Sequence, residues 1–157
     1  MKNSDNHIVS EKKEDEDNQK IILSQWQTCV EMANSVSVRR DTCNNLFASL
    51  NLAIVAAISY IWNIKTIVLL IAGAAICIVW LLFIRNFREL NRAKFQVINE
   101  METKLPIRPF CDEWEILENN KKYKEGTVRE KILPWAFIVL YCAILVFMII
   151  EKCLEVL

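Results

Sequence analysis

The chain changes texture along its length. From Leu46 to Ile84 no acidic residue occurs and Lys65 is the only basic one, and from Leu133 to Ile150 no charged residue occurs at all. Uncharged apolar runs of about 18 residues or more are long enough to cross a bilayer, whereas core helices of water-soluble domains normally keep a polar face. The first run is too long for one crossing: its 39 residues would reach about 58 Å as a helix, against a hydrocarbon core of about 30 Å. It must fold back, and Asn63, Ile64 and Lys65 mark the hinge. The pattern predicts transmembrane helices over 46–62, 66–84 and 133–150.

Outside these runs the apolar positions follow helical spacing. Ile22, Trp26, Cys29, Ala33 and Val36 recur at steps of four and three, which places them on one face. The register continues through Arg40, Cys43, Phe47 and Leu50, without Gly or Pro to break it. Beyond the second span, Phe83, Phe87, Leu90, Lys94, Val97, Met101 and Leu105 keep the same spacing, and this helix should end at Leu105 ahead of Pro106 and Pro109. Two amphipathic helices thus leave the same end of a membrane hairpin. Their stripes would cost free energy in water, so they should pair with each other, with Trp114 or with neighbouring subunits. Asp112 is placed to cap a short helix carrying Trp114, Ile116 and Leu117. Thr127 and Glu130 have capping-box spacing at the start of the third long helix, and Pro134, about two turns in, would kink it.

Residues 1–19 contain His7 and the run EKKEDEDNQ, with Ile8 and Val9 as the only apolar pair, too little to offset the entropy of ordering. The expected organisation is a disordered acidic tail (1–19), an amphipathic cytoplasmic helix (20–45), a transmembrane hairpin (46–84), a cytoplasmic helical segment (85–132), a third span (133–150) and a short external tail (151–157). The fold class is an all-α integral membrane protein. The first 20 residues are charged and lack the apolar core of a cleavable signal, so the amino terminus should be retained.

Charge gives the orientation. Arg39 and Arg40 precede the first span; Arg85, Arg88, Arg92 and Lys94 follow the second; Lys121, Lys122, Lys124, Arg129 and Lys131 precede the third. The hairpin loop has only Lys65 and the tail only Lys152. Basic residues stay on the cytoplasmic side, so the amino terminus and central segment are cytoplasmic and the carboxyl terminus is periplasmic or external. Residues 1–45 hold six basic and eight acidic groups, and residues 85–132 eleven and nine, so neither is a nucleic-acid footprint. Membrane lipids, with anionic headgroups beside the basic flanks, are the expected partner.

Catalytic chemistry finds little support. The single His7 lies in the acidic tail, and the six cysteines, at 29, 43, 77, 111, 142 and 153, form no CxxC pair. Only Gly73 and Gly126 occur, too few for a phosphate-binding loop. No metal, cofactor or enzymatic activity is expected. The cysteines read as small buried hydrophobes, apart from Cys153, which would face an oxidising side. The spans lack internal ionisable groups, which argues against ion coupling. They do contain small residues suited to close helix packing: Ser49, Ala53 and Ala57 at fourfold spacing, and Gly73 within AGAA. Asn51 is deep enough for an interhelical hydrogen bond, or else simply lies near the interface.

The text WLLFIRNFRELNRAKFQVINEMETKLPIRPFCDEW, with EMANSVSVRRDTCNNLFASLN before the first span, resembles the RipA family of small octameric bacterial inner-membrane proteins. The resemblance implies a homo-octamer in the cytoplasmic membrane with a role in growth or stress adaptation. Within the matched stretch Arg85, Asn91, Arg92, Lys94 and Trp114, together with Trp26 on the first stripe, are candidate assembly or lipid contacts. Lys94 occupies an apolar register position, where a lysine either needs a carboxylate or headgroup partner or snorkels to solvent. Two functions compete: a ring-forming scaffold, and a pore-forming effector similar in outline to the SLATT proteins of bacterial defence systems.

Overall fold

A computed structural model of the chain describes residues 2–61, 63, 65–119 and 130–155, with side chains from Lys13 to Leu154. Among the described residues the protein is built of four helices, α1 (Lys2–Tyr60), α2 (Thr66–Glu102), α3 (Pro109–Glu118) and α4 (Ile132–Glu155), with no strand. Three of them, α1, α2 and α4, are long and apolar enough to cross a membrane. The protein is an all-α integral membrane protein, a transmembrane hairpin with long helical extensions and a third span.

The α1–α2 break falls at the expected hinge. Asn63 Oδ1 accepts the Lys65 N–H (2.8 Å), the Thr66 N–H donates to the Asn63 carbonyl (2.9 Å), and the buried Thr66 hydroxyl donates to the Ile61 carbonyl. These bonds satisfy backbone groups of the turn locally, as is needed near lipid. Trp62 and Ile64 lie outside the described residues.

With no Gly or Pro between Lys2 and Tyr60, nothing interrupts the α1 ladder, and the helix continues through the acidic segment expected to lack order. Every side chain from Lys13 to Lys20 is exposed, and an Asp17–Lys20 pair at 3.1 Å is one turn long. These turns rest on local bonds alone. The side chains of residues 1–12, His7 included, lie outside the described set.

The chain divides into two compact units, Val38–Glu89 with Lys124–Leu157, and Met1–Ser37 with Leu90–Tyr123. The first is the membrane unit. Its core gathers Ile58 from α1, Leu70, Cys77, Trp80 and Ile84 from α2, and Phe137, Tyr141 and Met148 from α4. At its centre the fully buried Asn51 links three helices. Its Nδ2 donates to the Phe47 carbonyl (2.8 Å), while its Oδ1 accepts from the Tyr141 hydroxyl (2.8 Å) and the Cys77 thiol (3.1 Å). Trp80 Nε1 donates to Asn44 Oδ1 (2.8 Å) and its ring stacks on Phe47. The buried stripe on α1 thus follows the predicted register as far as Phe47 and then turns to Asn51 and Ile58, leaving Leu50 exposed.

Pro134 does not sit two turns into α4. The helix begins at Ile132, so the proline occupies its first turn, where a missing N–H breaks no intrahelical bond. Thr127, the expected cap, lies outside the described residues. The Glu130 carboxylate instead meets Arg40 Nη2 at 3.3 Å, with both side chains largely buried.

Gly73 is buried against Tyr141: a Cβ there would stand 2.6 Å from the tyrosine Cζ. Because Tyr141 is 2 % exposed and held by Asn51, its ring cannot swing aside. Gly73→Ala is expected to lower stability by about 1–3 kcal/mol through overpacking. Tyr141→Phe, which deletes one interhelical hydrogen bond, should cost only about 0.6 and at most about 1.7 kcal/mol. Thermal unfolding of the purified protein in detergent checks both values; an alanine variant as stable as the parent would contradict the close approach.

Candidate functional site

The second unit, Met1–Ser37 with Leu90–Tyr123, holds the start of α1, the end of α2 and all of α3. On α1 the expected face is the buried one: Ala33 and Val36 are buried, Trp26 and Cys29 half-buried. On α2 the buried face is turned towards the next position along, with Lys94 and Met101 of the predicted stripe still half-buried. Ile98 and Glu102 are fully buried and Asn91 and Phe95 half-buried, whereas Leu90 and Val97 of the predicted stripe are 45 % and 50 % exposed. One position is a rotation of about 100° about the axis. Hydropathy favours the leucine and valine, but the face turned inward carries Asn91, Asn99 and Glu102, and the carboxylate of Glu102 has a structural task.

Glu102 caps α3. Its Oε1 accepts the Phe110 N–H (3.1 Å) and its Oε2 the Cys111 N–H (3.0 Å), so one carboxylate satisfies two N–H groups of the first turn that no helical carbonyl can reach. The helix begins at Pro109, a residue suited to that position, and not at Asp112, which lies inside the first turn with its N–H on the Arg108 carbonyl (2.9 Å). Negative charge at a helix amino terminus is also favourable with respect to the macrodipole. The intervening chain turns tightly enough to bring Glu102 back, since Lys104 and Leu105 donate to the Met101 and Glu102 carbonyls. α2 therefore ends at Glu102, three residues before the predicted Leu105. An acid shortly before a Pro-x-x-Pro turn is the sequence signal that marks this cap.

Phe110, held by that cap, reaches both other helices. Its ring lies 5.8 Å from Trp26 and 5.6 Å, edge-on, from Phe95. Burial pushes the Cys111 thiol above the ordinary thiol range, the hydrogen bond and charge of Glu102 push it further, Arg108 pulls against them, and Asp112 adds slightly to the rise.

Between α2 and α3 lies an open groove of about 610 Å³. It brings together Asn91, Arg92 and Trp114, three residues singled out in the sequence, with Phe95, Gln96, Asn99, Glu113 and Leu117 among the others in its walls. Asn91 Oδ1 and Asn99 Oδ1 are buried there without a hydrogen-bond partner among the described residues, and Trp26 Nε1 likewise has none among them. Two acceptors, an aromatic wall, one acid and one base make a surface suited to a donor-bearing apolar segment.

A family model describing the octameric membrane protein family, 8xMP, matches residues 23–150. The chain belongs to the octameric membrane protein family. No curated protein and no solved structure matches it.

In this octameric-family protein the remaining sequence candidates fall into separate places. Asn51 and Gly73 both contact Tyr141 at the centre of the membrane unit. Ser49 and Ala53 are exposed and Ala57 half-buried, so the small-residue stripe lies beside the three-helix contact, and Ser49 Oγ returns to the Asn45 carbonyl (2.9 Å). Arg85 is exposed in the membrane unit, and Lys94 is half-buried and does not line the groove. Glu102 and Phe110 were missed by sequence reasoning because they act through a turn, whereas Glu130, expected to form a capping box with Thr127, pairs with Arg40 ninety positions away in the chain.

Glu102→Gln should keep the shape but lose the charge-assisted caps, lowering stability by about 1–3 kcal/mol. The check is protease sensitivity at α3 together with thermal unfolding. For Cys111, a raised thiol means less thiolate at neutral pH. Its alkylation rate should therefore rise at higher pH than that of a solvated model thiol, followed by mass spectrometry of the intact protein.

Proposed function

We propose that this protein is a homo-oligomeric scaffold of the bacterial inner membrane, a ring of copies with a role in growth or stress adaptation like that implied by the RipA resemblance. The observation that carries the reading is a pairing of two facts. The chain belongs to a family of octamers, and a single copy leaves apolar residues such as Leu90 and Val97 exposed on a helix extension beyond the spans. Apolar surface outside the bilayer is costly in water and is relieved by contact with further copies. The amino terminus and the central segment face the cytoplasm in this reading, and the basic flanks contact anionic lipid headgroups.

The polar groups of the spans favour a scaffold over a pore. Asn51, Cys77 and Tyr141 bond to one another inside the three-helix unit, and Ser49 and Ser59 donate to carbonyls of their own helix. These side chains are consumed by the fold and are not free to line a water-filled lumen. No catalytic role is assigned to any residue.

Native mass spectrometry in detergent should find eight copies, as the family description implies. A clean monomer would overturn the scaffold. Induced expression with a potential-sensitive dye should leave the membrane polarised; depolarisation would favour the pore instead.

A further inference from the structure

α2 presents two different surfaces to its surroundings at the same height. Leu90, Lys94 and Val97 form an outward stripe of two half-exposed apolar residues flanking a half-buried lysine. Two positions after each of them come Arg92, Gln96 and Asn99, all of which line the groove with α3. A separation of two residues is about 200° around a helix, so the stripe and the groove lie on nearly opposite sides of one rod.

Surfaces that are different and opposite are what a head-to-tail contact needs, because each copy can then offer its stripe to one neighbour and its groove to the other. The chemistry also matches. The groove has Phe95 and Trp114 to receive Leu90 and Val97, two buried amide oxygens without donors among the described residues, and the exposed carboxylate of Glu113. The stripe supplies the missing donor, since the Lys94 ammonium carries three N–H groups.

The geometry points to a subunit contact in which the α2 stripe of one copy seats in the α2–α3 groove of the next, with Lys94 directed at Glu113 and at the oxygens of Asn91 and Asn99. The occupant of the groove is thus a second copy of this chain, and the site is incomplete without it. Repeated around the assembly, the contact closes a ring in which every groove is filled. This rests on the homo-oligomeric reading above and adds to it the surfaces that meet.

The test uses the full chain in its membrane. In a background with Cys29, Cys43, Cys111, Cys142 and Cys153 replaced by alanine, Val97→Cys on the stripe with Leu117→Cys in the groove should give under mild oxidation a covalent ladder extending past the dimer towards eight chains. Each single substitution should give no such ladder. A two-fold contact would stop at dimers and so overturn the head-to-tail arrangement. If native mass spectrometry shows an intact octamer while the double variant gives no more cross-linking than the singles, the contact is wrong and the scaffold stands; a monomeric parent sinks both. Charge reversal gives a second measure independent of the cysteines. Lys94→Glu and Glu113→Lys should each reduce the octamer fraction by about tenfold, and the combined reversal should restore it to within about twofold. A combined variant no better than the singles would overturn the pairing.

Discussion

Inside a bilayer a polar group that lacks a partner has no water to turn to, and the membrane unit is organised around that constraint. Backbone groups are met by the helices themselves, so the demand falls on the few polar side chains. Asn51 meets it by joining α1 to Cys77 on α2 and Tyr141 on α4. An amide contains both donor and acceptor, and here each is used: the nitrogen returns to the Phe47 carbonyl and the oxygen serves the two other helices. Since lipid tails are as apolar as leucine, hydrophobicity alone would not select one arrangement of three rods. The amide and the Gly73–Tyr141 approach supply that selection through hydrogen-bond geometry and shape.

The second unit relies on a different device. A ten-residue helix such as α3 is too short to persist by its own hydrogen bonds. It is held by Glu102 at its amino end and by the contacts of Phe110 with Trp26 and Phe95. The carboxylate sits at the end of α2 and acts on the start of α3, so the turn between them is fixed by its two ends. This anchoring gives the groove its second wall, facing the oxygens of Asn91 and Asn99, which have no hydrogen-bond partner among the described residues.

A single helix, α2, therefore carries three relationships. Its inner stripe packs within the copy, one flank forms the groove with α3, and the other flank is the outward stripe of Leu90, Lys94 and Val97. A strict apolar heptad would serve only the first. The mixture of asparagines, lysine and aliphatics along this segment gives its faces different chemistry.

The amino-acid sequence by itself determined which segments are able to cross a membrane. Length and absence of charge placed three helices in lipid, the hinge at Asn63–Lys65 followed from the reach of a helix against bilayer thickness, and the α1 stripe from Trp26 to Phe47 followed from spacing. These depend on local composition and on the period of one helix, both written along the chain. Tertiary structure decided which face of α2 turns inward, that Glu102 and not Asp112 caps α3, and that Glu130 serves Arg40. Hydropathy ranks residues by their cost in isolation, whereas a buried asparagine or glutamate is stable only when a particular partner arrives from elsewhere in the fold. That partner is a fact of three dimensions, which no spacing rule along a single helix contains.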